Sequence, residues 1–471
     1  MILPAADYQQ VPEVVTRVRE FCGLDSEAGG CTYVSSLRAS DGAHRTWGEV
    51  ALHPPARLTE LLAEGGDVVR SLWDRRSLIV YLDLDHRDAR DPGDVYRHPA
   101  DGFRRLEPAW RAVRDSFEAF GMPMLDLVTG AGYAFVGCVD LDGAAAARLA
   151  ELSPEPPAWL FTHPRRRPPW ADASITATTA RAWHGLGLVL EFFAHEVLGR
   201  VTGRTEVPVV IDNVEVGDTA GGRRSLSIDI TSFGDPLDVR HLRVAFGAYQ
   251  KHRFRPDLFG AEAARLPPLA VVPRAGRPLE DVIEHGRSLA AAATLAAVSR
   301  LEIPNVESGL LDLVAAYRAS ALAGWHRDFY AVTPHPSTAW ADTYGRLDPA
   351  SLPPCVAAAL EHPDDLLLEP THLQLLVRTL MARGWHARHV AGLVRSYYER
   401  PTFWPRHWER VDPATRAEFD VRVFAGLIAT GLDAGVDFNC VSNQERGLCP
   451  GRPCRHDLRN DRDRLLERRA S

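Results

Sequence analysis

Apolar residues in "PEVVTRVREFCG" (12–23) return every three or four positions, the spacing of one face of a helix. Similar spacing runs through "ARLTELLAEGGDVVRSLWDRR" (56–76) and predicts a second helix. At 78–84 the pattern changes: "LIVYLDL" is a strand-length apolar block that closes on acid. "MLDLVTGAGYAFVGCVDL" (124–141) reads as two strands joined by the glycine turn Thr129–Gly132. "VPVVIDNVEV" (207–216) and "RSLSIDIT" (224–231) complete the predicted strands. Proline and arginine crowd "SPEPPAW" (153–159) and "THPRRRPPW" (162–170), which marks a loop, and "LPPLAVVPRAGRPLED" (266–281) reads as a connection. Beyond it the pattern is helical almost throughout, and no internal repeat is found. The prediction is an α+β chain: an α+β domain over 1–275, a helical connector over 276–345, and an all-α domain over 346–471.

A length of 471 residues suits two or three domains, and 45% apolar with 25% charged residues is ordinary for a globular protein. The longest bland run, Ser288–Ser299, is too short to span a bilayer, and "MILPAADYQQ" lacks the regions of a signal peptide. The expectation is a cytoplasmic protein with no membrane partner. A formal charge of −8 argues against a basic coat for nucleic acid, though local patches can still bind phosphate. Lys251 is the only lysine among 54 basic residues. Either it survives by chance, or it serves as a compact ammonium where a guanidinium would not fit.

Asp83 and Asp85 close the apolar strand, and alternation sends both to one side, about 7 Å apart. Such a pair repels unless a cation lies between, and hard divalent ions take oxygen ligands. The plain alternative is a solvated strand end followed by the polar turn "HRDARD". Asp229 is a second acidic candidate, flanked on its predicted strand by Ile228 and Ile230. Beside the first pair it would complete a two-metal site able to activate a hydroxyl and stabilise a leaving pyrophosphate. Arg240, Arg243 and Lys251 follow within twelve residues, a density of positive charge that suits a triphosphate. Alone, they read as a solvated basic segment.

In order and approximate spacing, "YLDLDHRD", "VTGAGYAFV" and "SIDITSFGDPLDVRHLRVAFGAYQKHRF" resemble the three motifs of archaeo-eukaryotic primases and primase-polymerases. The resemblance implies a catalytic domain with an RRM-like sheet and Mg²⁺- or Mn²⁺-dependent nucleotidyl transfer from nucleoside triphosphates on a single-stranded DNA template. It implies Asp83, Asp85 and Asp229 as metal ligands and catalytic residues. Thr129, Gly130, Gly132, Arg240, Arg243 and Lys251 would contact the nucleotide. One departure is clear. The second motif of the family ends on a histidine that touches the triphosphate, and this chain has Gly132–Tyr133–Ala134. Loss of one such ligand costs about 2–4 kcal/mol of transition-state stabilisation. Slow, redirected or lost activity is therefore open, as is a repair or defence polymerase that only extends ends.

Seven cysteines form no secreted framework; Cys22, Cys31 and Cys138 are scattered, and Cys138 reads as a buried free thiol. Cys440, Cys449 and Cys454 fall within fifteen residues, with eight and four residues between them, which suggests a metal site. With His456 they would suit zinc; with the distant Cys355 they would give four thiolates, the set for an iron–sulfur cluster. "LPPCVAAAL", "THLQLLVRTLMARGW", "VAGLVRSYYE" and the late cysteines resemble the C-terminal domain of the primase large subunit, over roughly 346–456. That resemblance implies a [4Fe–4S] cluster on Cys355, Cys440, Cys449 and Cys454, with zinc as the alternative because the spacing is compressed. The two likenesses together imply a one-chain primase. Arg378, Arg383, Arg388 and Arg395, with Trp385 and Tyr397, are candidate contacts to template, as is the loop "HPRRRPPW". Helix surface and core is their bland reading.

Overall fold

The computed structural model describes the chain apart from residues 1–2, 26–29, 38–50, 154, 163–174, 217–222, 401–407, 409–410, 452–453 and 471. The loop "HPRRRPPW" lies outside the described residues. In chain order the strands are β1 (Val34–Ser36), β2 (Val68–Ser71), β3 (Ser77–Asp88), β4 (Leu125–Val128), β5 (Gly132–Asp140) and β6 (Val209–Ile211). They continue with β7 (Arg224–Asp229), β8 (His241–Arg243), β9 (Ala248–Tyr249), β10 (Leu269–Ala270) and β11 (Val272–Pro273). Among the described residues after β11, all regular structure is helical. The chain is thus a mixed α+β protein whose second part is built of helices.

Six strands form the main sheet in the order β11-β4-β5-β3-β7-β6, antiparallel except where β6 runs parallel to β7. From Tyr81 onward β3 alternates strictly: Leu82 and Leu84 are sealed from solvent while Tyr81, Asp83 and Asp85 are only partly covered. The sealed face packs under two long helices, Pro99–Ala119 and Ala177–Val201. Phe135, which pairs with Leu82, meets Phe117 of the first, and Phe117 stacks at 4.0 Å on Phe193 of the second. Large apolar side chains at every second strand position thus hold the helices on one side. The acidic positions are left on the other.

Three predicted segments differ. The stretch 56–76 holds a short helix, Leu58–Ala63, which stops at the pair Gly65–Gly66 and gives way to β2. The β-branched Val68 and Val69 are buried in a small second sheet, β1-β2-β8. The supposed connection 266–281 contributes β10 and β11, and β11 closes the edge of the main sheet against β4. The strand predicted over 207–216 stops at Ile211, because Asp212 and Asn213 take left-handed backbone at φ 60° and 55°.

The helical part is joined firmly to the sheet part. Segment 304–306 bonds along β5, with Cys138 N donating to the Pro304 carbonyl at 2.9 Å and Val306 N to the Cys138 carbonyl at 2.9 Å. Arg422, on the helix Pro413–Ala429, reaches Glu191 of Ala177–Val201 at 2.9 Å, and His326 meets the same carboxylate at 3.1 Å. Burial alone would raise the Glu191 carboxyl, yet Arg422 and His326 bring it down to about 2. Apart from Leu37 and Val69, the buried apolar residues among those described form one continuous core running from Tyr8 to Leu465.

Candidate active site and cysteine centre

Strand register brings the acidic residues together. Asp83 pairs with Asp229 across β3 and β7, and with Ala134 across β3 and β5. Residues directly opposed in a ladder share a face, and Asp85, two positions on, shares it too. Asp83 and Asp85 line a cavity of about 370 Å³ that also touches Ala134, Arg243 and Lys251. The place where the resembled family carries histidine is therefore on the cavity wall, beside Asp83.

Each carboxylate is held differently. Tyr81, two residues earlier on the same face, donates its hydroxyl to Asp83. Asp229 accepts from the Thr231 amide at 2.9 Å, the Thr231 hydroxyl at 2.6 Å and the Asn213 side chain at 3.1 Å. Burial raises the Asp83 carboxyl well above the usual range, and repulsion from Asp85 raises it further. Burial and Asp229 raise Asp85 likewise, against the pull of Lys251 and Arg87. Burial would push Asp229 up as well, but the Thr231 and Asn213 donors and the charge of Arg240 leave it below the ordinary value. One carboxylate that ionises readily thus faces two that resist ionising together. A positive charge between them relieves that conflict.

The predicted cations separate. Lys251 opens the short helix Lys251–Phe254 and lines the cavity, where burial and then Arg243 lower its pKa against the opposing pull of Asp85. Arg243 also lines it, from β8, with its guanidinium 4.5 Å over the Tyr249 ring and its Nε 3.2 Å from Asp67. Arg240 does not line it. Its guanidinium is ion-paired with Asp235 and donates to the Thr231 carbonyl at 3.4 Å, so it stands behind Asp229. The residue predicted to contact the nucleotide is thus placed beside Thr231 and Asp235, away from the cavity lining.

The turn residues have packing roles. Thr129 lines the cavity, but its amide and hydroxyl both donate to the Gly132 carbonyl, at 2.8 and 3.2 Å. A Cβ on Gly130 would lie 2.3 Å from the Tyr249 ring, and one on Gly132 would lie 2.0 Å from the Leu84 carbonyl. Glycine is required there by the close approach of neighbours.

The cysteines converge as well. Cys355, Cys440, Cys449 and Cys454, with His456, line one small cavity of about 20 Å³. Cys355 is the second residue of the helix Pro354–Glu361 and Cys440 begins Cys440–Glu445. Burial pushes the Cys355 thiol up to about 11; the Asn443 side chain, donating to its sulfur at 3.6 Å, opposes this, and Cys449 and Cys440 add to it. Cys440 faces Asp457 at 4.0 Å, and Cys454 faces the His456 carbonyl at 3.6 Å.

Among the described residues, no three His, Cys, Asp or Glu side chains form a group ready to hold a metal ion. Protein partners take the donor atoms instead: Tyr81, Thr231 and Asn213 at the carboxylates, Asn443 at Cys355. The donor chemistry of both places nonetheless fits metals, hard oxygen at one and soft sulfur at the other.

No family model, curated protein or solved structure matches this chain. No helix among the described residues is long and apolar enough to cross a membrane.

The arginines proposed to touch template are largely engaged. Arg378 is buried and ion-paired with Asp433 and Asp437 at 2.7 and 3.0 Å, so it is corrected to a structural residue. Arg388 pairs with Glu418, Arg395 with Glu399, and Arg383 donates to the Ser351 carbonyl at 2.8 Å. Tyr397 is buried, while Trp385 is partly exposed and stacks on Tyr344. Sequence reasoning missed Tyr81, Thr231 and Asn213. Tyr81 and Thr231 each stand two residues from their aspartate, a spacing that was available as a signal; for Asn213 there was none. It also missed Glu215 and Glu369, which line the far side of the acidic cavity, Glu369 from the helical part.

Proposed function

We propose that the chain is a DNA primase or primase-polymerase that joins nucleotides on a single-stranded DNA template. One observation carries the reading: the register that sets Asp229 opposite Asp83, with Asp85, Lys251 and Arg243 around the same cavity. Asp83, Asp85 and Asp229 would hold Mg²⁺ or Mn²⁺, which when bound supplies activation of the attacking hydroxyl and neutralisation of the leaving pyrophosphate. The chain's own residues supply position. Lys251 and Arg243 bind the triphosphate at the acidic end and compensate its charge. Tyr81 orients Asp83, and Thr231 with Asn213 keeps Asp229 ionised for its task. The reaction is attack of a 3′-hydroxyl on the α-phosphate with departure of pyrophosphate. Cys355, Cys440, Cys449 and Cys454 would hold a [4Fe–4S] cluster or zinc, which ties the helical part together beside the catalytic one.

A second reading has one observation in its favour. Ala134 on the wall next to Asp83 leaves a phosphate without the imidazole the resembled enzymes use, which suits a silent nucleic-acid-binding homologue. Incubation of pure protein with single-stranded template, Mn²⁺ and labelled nucleotides separates the possibilities. Product without a primer supports priming. Extension of a primer alone supports an end-extending polymerase, and silence supports the binding protein. A brown protein absorbing near 400 nm favours the cluster over zinc.

A further inference from the structure

Glu215 lines the far wall of the acidic cavity, and the helical part grips its peptide from both sides. Its amide donates to the Thr371 hydroxyl at 2.9 Å, and its carbonyl accepts from Arg446 Nη1 at 3.2 Å. Its carboxylate is paired with Arg223. Thr371 begins the helix that follows Glu369, so the two acidic residues of this wall share one support.

Arg446 is buried, and it lies between Cys440 and Cys449 in the chain. Its guanidinium is fully committed. Nη1 also meets Asp437 at 2.8 Å, Nη2 donates to the Asp437 carbonyl at 3.2 Å, and Nη2 bonds the side-chain oxygen of Asn443. Asn443 turns its side-chain amide nitrogen to the Cys355 sulfur at 3.6 Å, and its main-chain carbonyl accepts from the Cys449 amide at 3.2 Å. An unbroken run of hydrogen bonds therefore leads from a cysteine sulfur, through Asn443 and Arg446, to the wall of the cavity.

We infer that Arg446 is a positioning residue that couples the cysteine centre to the acidic cavity, so that the contact between Cys355 and Asn443 bears on the place of Glu215. The physical step is a displacement: the Cys355 sulfur receives the Asn443 side chain at 3.6 Å, and a smaller atom at that position moves the amide it receives. Asn443 has little room to adjust, since its other end is fixed to Arg446, and Arg446 passes the constraint to the Glu215 carbonyl. Coupling of this kind is reciprocal and typically amounts to 5–150-fold in an equilibrium.

The inference rests on the cavity being the nucleotide site, but its test does not. Amide exchange of residues 212–216 is measured in the full chain, without nucleotide or template, for wild type, Cys355→Ser, Arg446→Met and the double variant. The expected result is exchange about tenfold faster in Cys355→Ser. Little further change is expected when that substitution is added to Arg446→Met, because the path is already cut. If Arg446→Met does not fold, Arg446→Lys takes its place; it keeps a charge for Asp437 and loses the fork that reaches Glu215. Additive effects, or an unchanged rate in Cys355→Ser, overturn the coupling. In the transfer assay, Arg446→Met should raise KM for nucleoside triphosphate about tenfold with kcat little changed, and Arg446→Lys should restore part of it. Failed polymer synthesis leaves the exchange cycle intact, and a failed cycle leaves polymer synthesis intact, so the two readings fall separately.

Discussion

The acidic cavity and the cysteine cavity gather candidate ligands from distant parts of the chain, yet they are built on opposite plans. The carboxylates stand on neighbouring strands of a sheet whose other face is sealed by Phe117, Phe135 and Phe193, so the backbone ladder sets their spacing. The thiols sit at two helix starts and in the loop between Cys440–Glu445 and Leu458–Ala470, and Cys454 is exposed. Around the acids there is room for a substrate, about 370 Å³; around the thiols about 20 Å³. The lesson is about who organises whom. The sheet imposes closeness on charges that repel, while the thiols lie on helix ends and a loop that no strand ladder holds.

That contrast is sharpest under substitution. Asp83→Ala should cut template-directed transfer by at least about a thousandfold while leaving the fold intact. Asp83→Asn, which removes one repelling charge, should raise the thermal midpoint in chelator; a fall in both variants would mean the carboxylate is structural. Cys355→Ser should do the reverse to the fold. Metal content should drop and the thermal midpoint should fall by on the order of 10 °C, read by absorbance and calorimetry. An unchanged midpoint would erase the difference between the two plans.

Lys251→Ala should raise KM for nucleoside triphosphate by about a hundredfold, and Lys251→Arg should restore it only in part, since a delocalised guanidinium does not concentrate its charge as the ammonium does. Full rescue by arginine would make the lone lysine an accident. Ala134→His puts an imidazole on the wall beside Asp83 and should speed transfer about tenfold, measured in single turnovers. No gain there would favour the silent homologue.

The smallest effect is on pH. Asp83 and Asp85 are raised in the folded state, so the stability they contribute is complete below the ordinary aspartate range and is lost as pH rises through their folded values. Asp229 is lowered, so its contribution is present above the ordinary range and is lost only as pH falls through its depressed value. In chelator the denaturation midpoint should therefore decline as pH climbs from about 4 toward neutrality. Mn²⁺ should flatten that decline; a profile that ignores the cation would break the link between the acids and a metal.

Much of the acidic site was legible because it is written in alternation. "LIVYLDL" and "RSLSIDIT" each show an apolar strand closing on acid, and the glycine turn before Tyr133 predicts the hairpin that flanks them. Cys440, Cys449 and Cys454 were legible from clustering; Cys355, far off in the chain, entered only as one of two candidate fourth ligands and through the resemblance. What escaped depends on pairing at long range. Arg243 belongs to β8, whose partner β2 hides inside a stretch with helical spacing, so the second sheet and its Asp67 left no local trace. Arg240 and Arg243 look equivalent in the chain, three residues apart, yet Asp235 turns one away and the Tyr249 ring receives the other. No spacing distinguishes them. Nor does any sequence pattern show Arg446 and Glu215 meeting across the molecule.

The unbroken interior from Tyr8 to Leu465 has a practical corollary. Severing the chain near residue 275 would strip Arg422 and His326 from Glu191, leaving a sequestered anion with no counter-charge and a raw greasy flank on each fragment. Neither half should survive expression alone in soluble form, and mixing the two should rescue what each by itself cannot keep.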